Sequence, residues 1–362
     1  MLPSLGYVTE LEQAAERESA ERRSEMTVGE PEARRAARRT FPDASSIAIH
    51  GDSTAGDGGV TFAFTVRDHD ATYVLKFAPE EKAAQLRRGA AAYRYLDART
   101  SVPVPGAVTV EPDGGDLPYP YSVVEHVGGD ELSSIGQFRS FPRGRKRAVV
   151  REMGRALGTL HAQTAFERYG SVSGRSGALT ADDGVTDWRV HYHRRYEEYA
   201  DAARKSPVSD LADRAVECFE RMSDLVRPES GPVLLHGDFT PDNLITRDGT
   251  VRAVLDWEHA EAGCGAKELR DVEENVVEIA RRDEVRSDLR DTLLDGYAAA
   301  RPVSDAFLAT KAVFGVGEFA RVGAVRSFLA AGDEFDAAAF RTRAERELDA
   351  RIEAAESRLD RL

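Results

Sequence analysis

The stretch from residue 233 to residue 258 limits the possible folds of this chain more than any other. It reads Val233-Leu-Leu-His-Gly-Asp-Phe-Thr-Pro-Asp-Asn-Leu-Ile245, then Val251-Arg-Ala-Val-Leu255 and Asp256-Trp-Glu258. The apolar runs Val233–Leu235, Leu244–Ile245 and Val251–Leu255 read as short buried strands, and Asp248-Gly249 is a hairpin-turn signal. Strand, polar loop, strand, tight turn, strand: this order brings His236, Asp238, Asn243 and Asp256 to strand ends facing one cleft. Phosphoryl transfer needs few protein groups in strict positions. A carboxylate must orient the attacking hydroxyl and take its proton, and an amide oxygen and a carboxylate must hold Mg²⁺, a hard cation that prefers oxygen. Asp238 suits the base; Asn243 and Asp256 suit the metal ligands. A hydrolytic transition-metal site of His236, Asp238, Asp242 and Asp256 is disfavoured. Such sites recruit more histidine or cysteine, and of eight histidines only His236 lies in the motif. His236 reads instead as a packed brace for the loop.

The flanking sequence splits into a β-rich part and a helical part. Ser46–His50, Val60–Val66 and Ala71–Phe77 have strand composition, broken by the glycine-rich Gly51–Gly59 and the polar turn Arg67–Asp70. A helix follows over about Pro79–Arg99, then strands near Ala107–Val110 and Tyr121–His126. After Gly128-Gly129 the pattern is helical: Arg147–Ala162, Thr186–Arg204, Ser209–Leu225, and from Lys267 to the C-terminus. The first forty residues read as charged, loosely packed helix. At 362 residues the chain is long enough for two lobes.

Charge and cysteine usage narrow the partners. The net charge is −14 and only six residues are lysine, a surface suited to concentrated salt and opposed to nucleic acid as main partner. No run of roughly 18 apolar residues predicts a membrane span, and no signal-peptide core is present, so the expected location is cytoplasmic. Cys218 and Cys264 form no metal or disulfide motif and read as free thiols.

The central motif resembles the protein-kinase catalytic loop H-x-D-x-x-x-x-N, with Asp256-Trp257-Glu258 in place of D-F-G. In detail it is more similar to the aminoglycoside phosphotransferase and choline kinase family, which shows H-G-D-x-x-x-x-N and then D-W-E or D-F-E. The resemblance covers about Ser46 to Asp271. It implies an α+β, bilobal protein-kinase-like fold. An N-terminal helical segment (1–40) would precede a small antiparallel β lobe (41–127) with its hinge at 125–128, and a mainly helical lobe (128–362) would follow. It implies ATP and Mg²⁺ as cofactors and a small-molecule phosphate acceptor as partner. Lys76, in the apolar run Tyr73-Val-Leu-Lys-Phe77, would neutralise the α- and β-phosphates. The glycine-rich loop, with Ser53, Thr54 and Gly56, would cover them. Backbone groups of Glu125 and Val127 would bond the adenine edge, and Leu160-His161 would be structural.

Two departures from the family stand out. The helix glutamate that pairs with the strand lysine is replaced, since Arg87-Arg88-Gly89-Ala90-Ala91 has glycine there. Lys76 is therefore expected to lack its partner unless Glu80 or Glu81 substitutes. After Gly263, Glu268 stands where the family carries an aspartate. Three functions follow: a small-molecule kinase; a nucleotide-binding, catalytically weak relative with a regulatory role; and a protein kinase, disfavoured because no A-P-E segment follows Asp256. Trp188, His191, Tyr192, Tyr196 and Glu197, at helical spacing, are candidates for the acceptor pocket, with a half-buried helix face as the plainer reading.

Overall fold

Strict alternation builds the smaller lobe. Phe62, Phe64 and Val66 on one strand and Tyr73, Leu75 and Phe77 on the next are all buried on one face, so Lys76, one residue out of phase, emerges on the other. The computed structural model describes residues 28–56, 59–66, 71–131, 135–175, 178–181, 183–277, 283–321 and 336–362, with backbone alone at 51–56, 59–60, 135–136, 175, 178, 276–277 and 283–286. Within them the first helix is α1 (Glu30–Thr40), followed by β1 (Ile47–Gly56), β2 (Gly59–Val66) and β3 (Ala71–Phe77). Helix α2 (Ala83–Arg99) comes next, then β4 (Ala107–Glu111) and β5 (Tyr121–Glu125). The five strands form one antiparallel sheet in the order β1-β2-β3-β5-β4.

Two expectations change here. The glycine-rich stretch is strand rather than open loop as far as Gly56, because Thr54 pairs with Thr61 and Gly56 with Gly59 after a register shift beyond His50. Helix α1 is not loose: Ala33, Ala36 and Ala37 are fully buried in the cluster that holds Phe64, Leu75 and Val123. The stretch Thr9–Arg23 and the turn Arg67–Asp70 lie outside the described residues.

The second lobe begins with β6 (Asp130–Glu131), α3 (Ile135–Ser140) and α4 (Arg143–Gln163), then the short strands β7 (Gly170–Ser171), β8 (Ser173–Arg175) and β9 (Ala178–Thr180). Helices α5 (Trp188–Ala202) and α6 (Ser209–Ser223) lead to β10 (Val233–Leu235), β11 (Leu244–Arg247), β12 (Thr250–Val254) and β13 (Glu261–Gly263). Helices α7 (Gly265–Val272), α8 (Asp283–Ala298), α9 (Asp305–Gly317) and α10 (Ala337–Leu359) complete it. This lobe is mainly helical, so the molecule is α+β with the bilobal kinase-like arrangement. Its core runs through Met153, Leu157, Tyr196, Phe219, Phe314 and Leu348, and it also takes in Ala92 and Leu96 of α2. Helix α2 thus belongs by packing to the larger lobe, although in sequence it lies between strands β3 and β4 of the small sheet. Among the described residues no helix is long and apolar enough to cross a membrane.

Candidate active site

The hairpin that carries Asn243 and leads to Asp256 is a product of short-range sequence. β11 pairs antiparallel with β12, Leu244 opposite Val254, and the Leu255 N–H donates to the Asn243 carbonyl at 2.8 Å. Asn243 and Asp256 therefore leave adjacent strands side by side. The Asn243 amide nitrogen donates to the Asp238 carbonyl (2.8 Å) and to its Oδ2 (3.1 Å). With its nitrogen engaged on Asp238, the Asn243 amide oxygen is the atom left for a cation. The Asp238 carboxyl opens to solvent in the cleft, yet its pKa is raised because the cleft walls desolvate it, and Asp242 adds to the effect against the opposing pull of His236. His236 is fully buried, with its ring 4.5 Å from that of Trp257. Its Nε2 donates to the Leu255 carbonyl (2.6 Å) and its Nδ1 accepts from the Asp238 N–H (3.2 Å). Both ring nitrogens are spent on the loop backbone, which leaves the histidine no proton to exchange with a substrate.

A second network holds the loop from below. Gly237 has φ +83°, and a Cβ there would run into the His259 carbonyl, so glycine is required. Its N–H donates to Glu268 Oε1 at 2.8 Å. Glu268, only 2% exposed, accepts through Oε2 from His161 Nε2 at 2.9 Å, and His161 Nδ1 lies 2.9 Å from the Tyr297 hydroxyl. Burial lowers the His161 pKa, overriding the pull of Glu268 in the other direction. The neutral ring then donates to Glu268 and accepts from Tyr297. Leu160-His161 and Glu268 are thus structural, and the glutamate spans from α7 to the catalytic loop.

Across the cleft, Lys76 Nζ lies 3.3 Å from Asp256 Oδ1 and 2.6 Å from Glu258 Oε1. Burial pulls the Lys76 pKa down, but Asp256 and Glu258 overrule it and the net shift is upward, so the ammonium stays charged. The expectation that Lys76 lacks a partner is overturned. Glu80 and Glu81, in the single turn Glu80–Lys82, are exposed; the carboxylate comes from Glu258 instead. Asp256 itself sits in the left-handed region (φ 58°, ψ 62°), a conformation costing roughly 1–2 kcal/mol for a non-glycine residue. It is held there by the Tyr93 hydroxyl, which accepts its N–H at 3.0 Å, and by Lys76. Burial, with the negative charge of Asp256, raises the Tyr93 pKa and keeps it a phenol. Trp257, fully buried, donates from Nε1 to the Val254 carbonyl at 3.0 Å and packs rather than facing the cleft.

These groups fit a magnesium site of the kind that phosphates complete. Asn243 would contribute one amide oxygen and Asp256 one carboxylate, and among the described residues no group of three or more His, Cys, Asp or Glu side chains is placed to hold a metal alone. Mg²⁺ usually keeps several water or phosphate ligands, so two protein oxygens suffice. When bound, the ion would neutralise charge on the transferring phosphoryl group.

The remaining expected positions divide. The backbone of Ser53, Thr54 and Gly56 lies in β1 before the hairpin turn, while their side chains are outside the described residues. Glu125 and Val127 sit where β5 ends. The Glu125 N–H donates to Gly106 and the His126 N–H to Thr72, which turns attention to the Glu125 carbonyl and the Val127 N–H for a ligand edge. Trp188, Tyr192 and Tyr196 are buried against Phe219 and Phe314, His191 is buried against Tyr169 and Tyr192, and Glu197 is exposed near His193. They form core and surface, not a pocket. Sequence reasoning missed the pairing of Glu258 with Lys76, the Tyr93 contact and the Arg88 guanidinium, whose Nη1 donates to the Glu258 carbonyl at 3.0 Å. None had a local signal, because each contact spans more than 150 residues.

Comparison with known proteins agrees with this fold. The chain is similar in structure to a Ralstonia eutropha JMP134 protein assigned to the aminoglycoside phosphotransferases, with 17% identity, a TM-score of 0.63, and coverage of 91% of this chain and 98% of that one. It is similar also to aminoglycoside phosphotransferase APH(4)-Ia (15% identity, TM-score 0.59, 90% and 99% coverage). A third is APH(2")-IIa in complex with gentamicin (13%, 0.52, 86% and 98%). At such identities the likeness is one of fold. No match was found among curated proteins. The sequence model of the phosphotransferase enzyme family, however, matches residues 52–303, a span that contains Lys76, the catalytic hairpin and Glu268. On that match over most of its length, the chain belongs to the phosphotransferase enzyme family.

Proposed function

We propose that this protein transfers the γ-phosphate of Mg-ATP to a hydroxyl group of a small molecule. The observation that carries the reading is the ion pair between Lys76 of the β lobe and Asp256 of the helical lobe, 3.3 Å apart, beside the Asp238–Asn243 hydrogen bond. A phosphate-binding cation, a metal carboxylate and a base with its amide partner then share one cleft, which is the full protein requirement for this chemistry. In the proposed arrangement Asp238 orients the acceptor hydroxyl and takes its proton, and Asn243 and Asp256 hold Mg²⁺. Lys76 neutralises the α- and β-phosphates, the β1 segment with Ser53, Thr54 and Gly56 covers them, and the Glu125 carbonyl and Val127 N–H receive the adenine edge. Nucleotide binding then falls mainly to residues 41–127 and acceptor binding to 128–362.

The neighbours support the substrate class by analogy: a thermostable mutant of APH(4)-Ia forms a ternary complex with ADP and hygromycin B, and APH(2")-IIa forms a complex with gentamicin. Dependence on ATP and two free buried thiols fit a reducing cytoplasmic setting. The alternative of a catalytically weak nucleotide binder drew on a lysine without a partner, and Glu258 at 2.6 Å removes that support.

The test is acceptor-dependent ADP release from Mg-ATP against pools of antibiotics, amino alcohols, sugars and nucleosides. Asp238→Asn should lose roughly 10²–10⁴-fold in rate, the usual contribution of a positioned base, while still binding nucleotide. Full activity in that variant would refute the assignment.

A further inference from the structure

We infer that Glu258 is the positioning residue for Lys76, supplying a carboxylate that helix α2, with glycine at position 89, does not. The inference rests on reading Lys76 as the phosphate-binding lysine. Gly89 is buried on the face of α2 that meets the Trp257–His259 turn. A Cβ at residue 89 would lie 3.4 Å from Glu258 Cγ, 3.6 Å from its backbone nitrogen and 3.7 Å from the Trp257 carbonyl carbon. There is room for hydrogen or a methyl group, and none for a long side chain reaching past Glu258 to the lysine. The absence of a side chain at 89 and the presence of the Glu258 carboxylate at Lys76 are therefore two parts of one arrangement.

The carboxylate is fixed from several sides. Its own carbonyl accepts from Arg88 Nη1 at 3.0 Å, and Arg88 Nε donates to the Val172 carbonyl at 3.1 Å. Trp257 and Asp256 on its N-terminal side are pinned by the Val254 carbonyl and the Tyr93 hydroxyl. With its side chain only 11% exposed and 2.6 Å from Nζ, Glu258 is the closer of the two anions to the lysine. Asp256, at 3.3 Å, has a second obligation as the carboxylate suited to the metal. A lysine shared between them keeps a charged partner when Asp256 turns to a cation, because Glu258 has no other cation within reach among the described ion pairs. Helix α2 then acts as a seat for the turn, contributing Arg88, Tyr93 and the gap at Gly89, and the charge itself comes from a residue two positions past the metal carboxylate. Lysine and metal positions are locked to one turn.

Calorimetry on the full chain tests this, with ADP as probe, both with Mg²⁺ and in EDTA. Glu258→Gln should weaken ADP binding roughly ten- to hundredfold in both conditions, as loss of a hydrogen bond between charged groups does. Glu258→Ala should weaken it similarly, and the double variant Gly89→Glu/Glu258→Ala, which returns a carboxylate from the helix into the vacated space, should recover most of the loss. Gly89→Glu alone should lower the melting temperature. A Glu258→Gln protein that matches wild type in EDTA and loses affinity only with Mg²⁺ would overturn the inference, because Glu258 would then serve the metal. A double variant that melts like wild type but binds as weakly as Glu258→Ala would also overturn it. Should the double variant not fold, Glu258→Gln decides alone. Wild type failing to bind ADP in either condition would sink the nucleotide-site reading itself, and the inference with it, a result distinct from the others.

Discussion

The two walls of the cleft are built by different means. On the helical-lobe side, Asp238, Asn243 and Asp256 come from a hairpin of some twenty residues, with contacts five residues apart or across one strand pair. On the β-lobe side, Lys76 arrives alone on β3, and every group that fixes it lies 180 or more residues away. The first wall is a local motif that carries its own geometry. The second exists only after the lobes have closed on each other, with α2 packed into the core of the larger lobe. In the proposed reading, the site joins a locally built unit to a nucleotide clamp assembled by tertiary contact.

Asp256→Asn would strain this contrast most. In the proposed reading it removes a metal carboxylate from one wall and one of the two anions from the lysine of the other, so Mg-ATP turnover should fall by roughly 10²–10³-fold, as loss of a group acting directly on transition-state charge does. ADP binding in EDTA should weaken far less, since Glu258 still holds Lys76. Equal losses with and without Mg²⁺ would mean that the walls are not separable. Glu268→Ala sharpens the local side. It leaves the Gly237 N–H and the buried His161 Nε2 without an acceptor, at about 1–3 kcal/mol each, and the melting temperature should drop together with kcat. KM for ATP should hold, because the nucleotide wall is untouched.

Smaller per step is the response to acid. Burial, aided by Arg195, lowers the His191 pKa to about 4, with Glu261 opposing and Arg194 and Lys267 adding to the fall; burial lowers His161 too. Their folded values lie below the unfolded value of about 6.5, so the unfolded chain takes up protons first. Stability that is complete above pH 6.5 should be lost as pH falls, by up to about 1.4 kcal/mol per unit for each histidine, levelling for His191 near pH 4. Both histidines are in the helical lobe. Chemical denaturation at pH 5 and pH 7 should show that difference, and His191→Phe should reduce it. The raised Asp238 pKa carries the same sign into catalysis: the acid limb of kcat/KM should lie above the usual aspartate range.

How much was legible follows the same division. The strands around the catalytic hairpin, the DG turn and the polar ends were readable because alternation and turn chemistry act over a few residues. Lys76 was readable as one charged residue out of phase in a buried strand. The role of Gly89 was misread, because a missing glutamate looks like a missing interaction until the turn that fills its space is seen. The aromatic face of α5 was equally ambiguous: helical spacing puts Trp188, Tyr192 and Tyr196 on one side, and only the packing of α6 and α9 makes that side core.

By itself the sequence determined the hairpin, the identity and spacing of Asp238, Asn243 and Asp256, and the β-then-helix order of the lobes, since these depend on backbone preferences and patterns within short windows. The tertiary structure decided which carboxylate meets Lys76, what holds Asp256 in a left-handed conformation, and that Glu268 caps the catalytic loop. Those outcomes depend on distances between segments far apart in the chain, which no local pattern encodes.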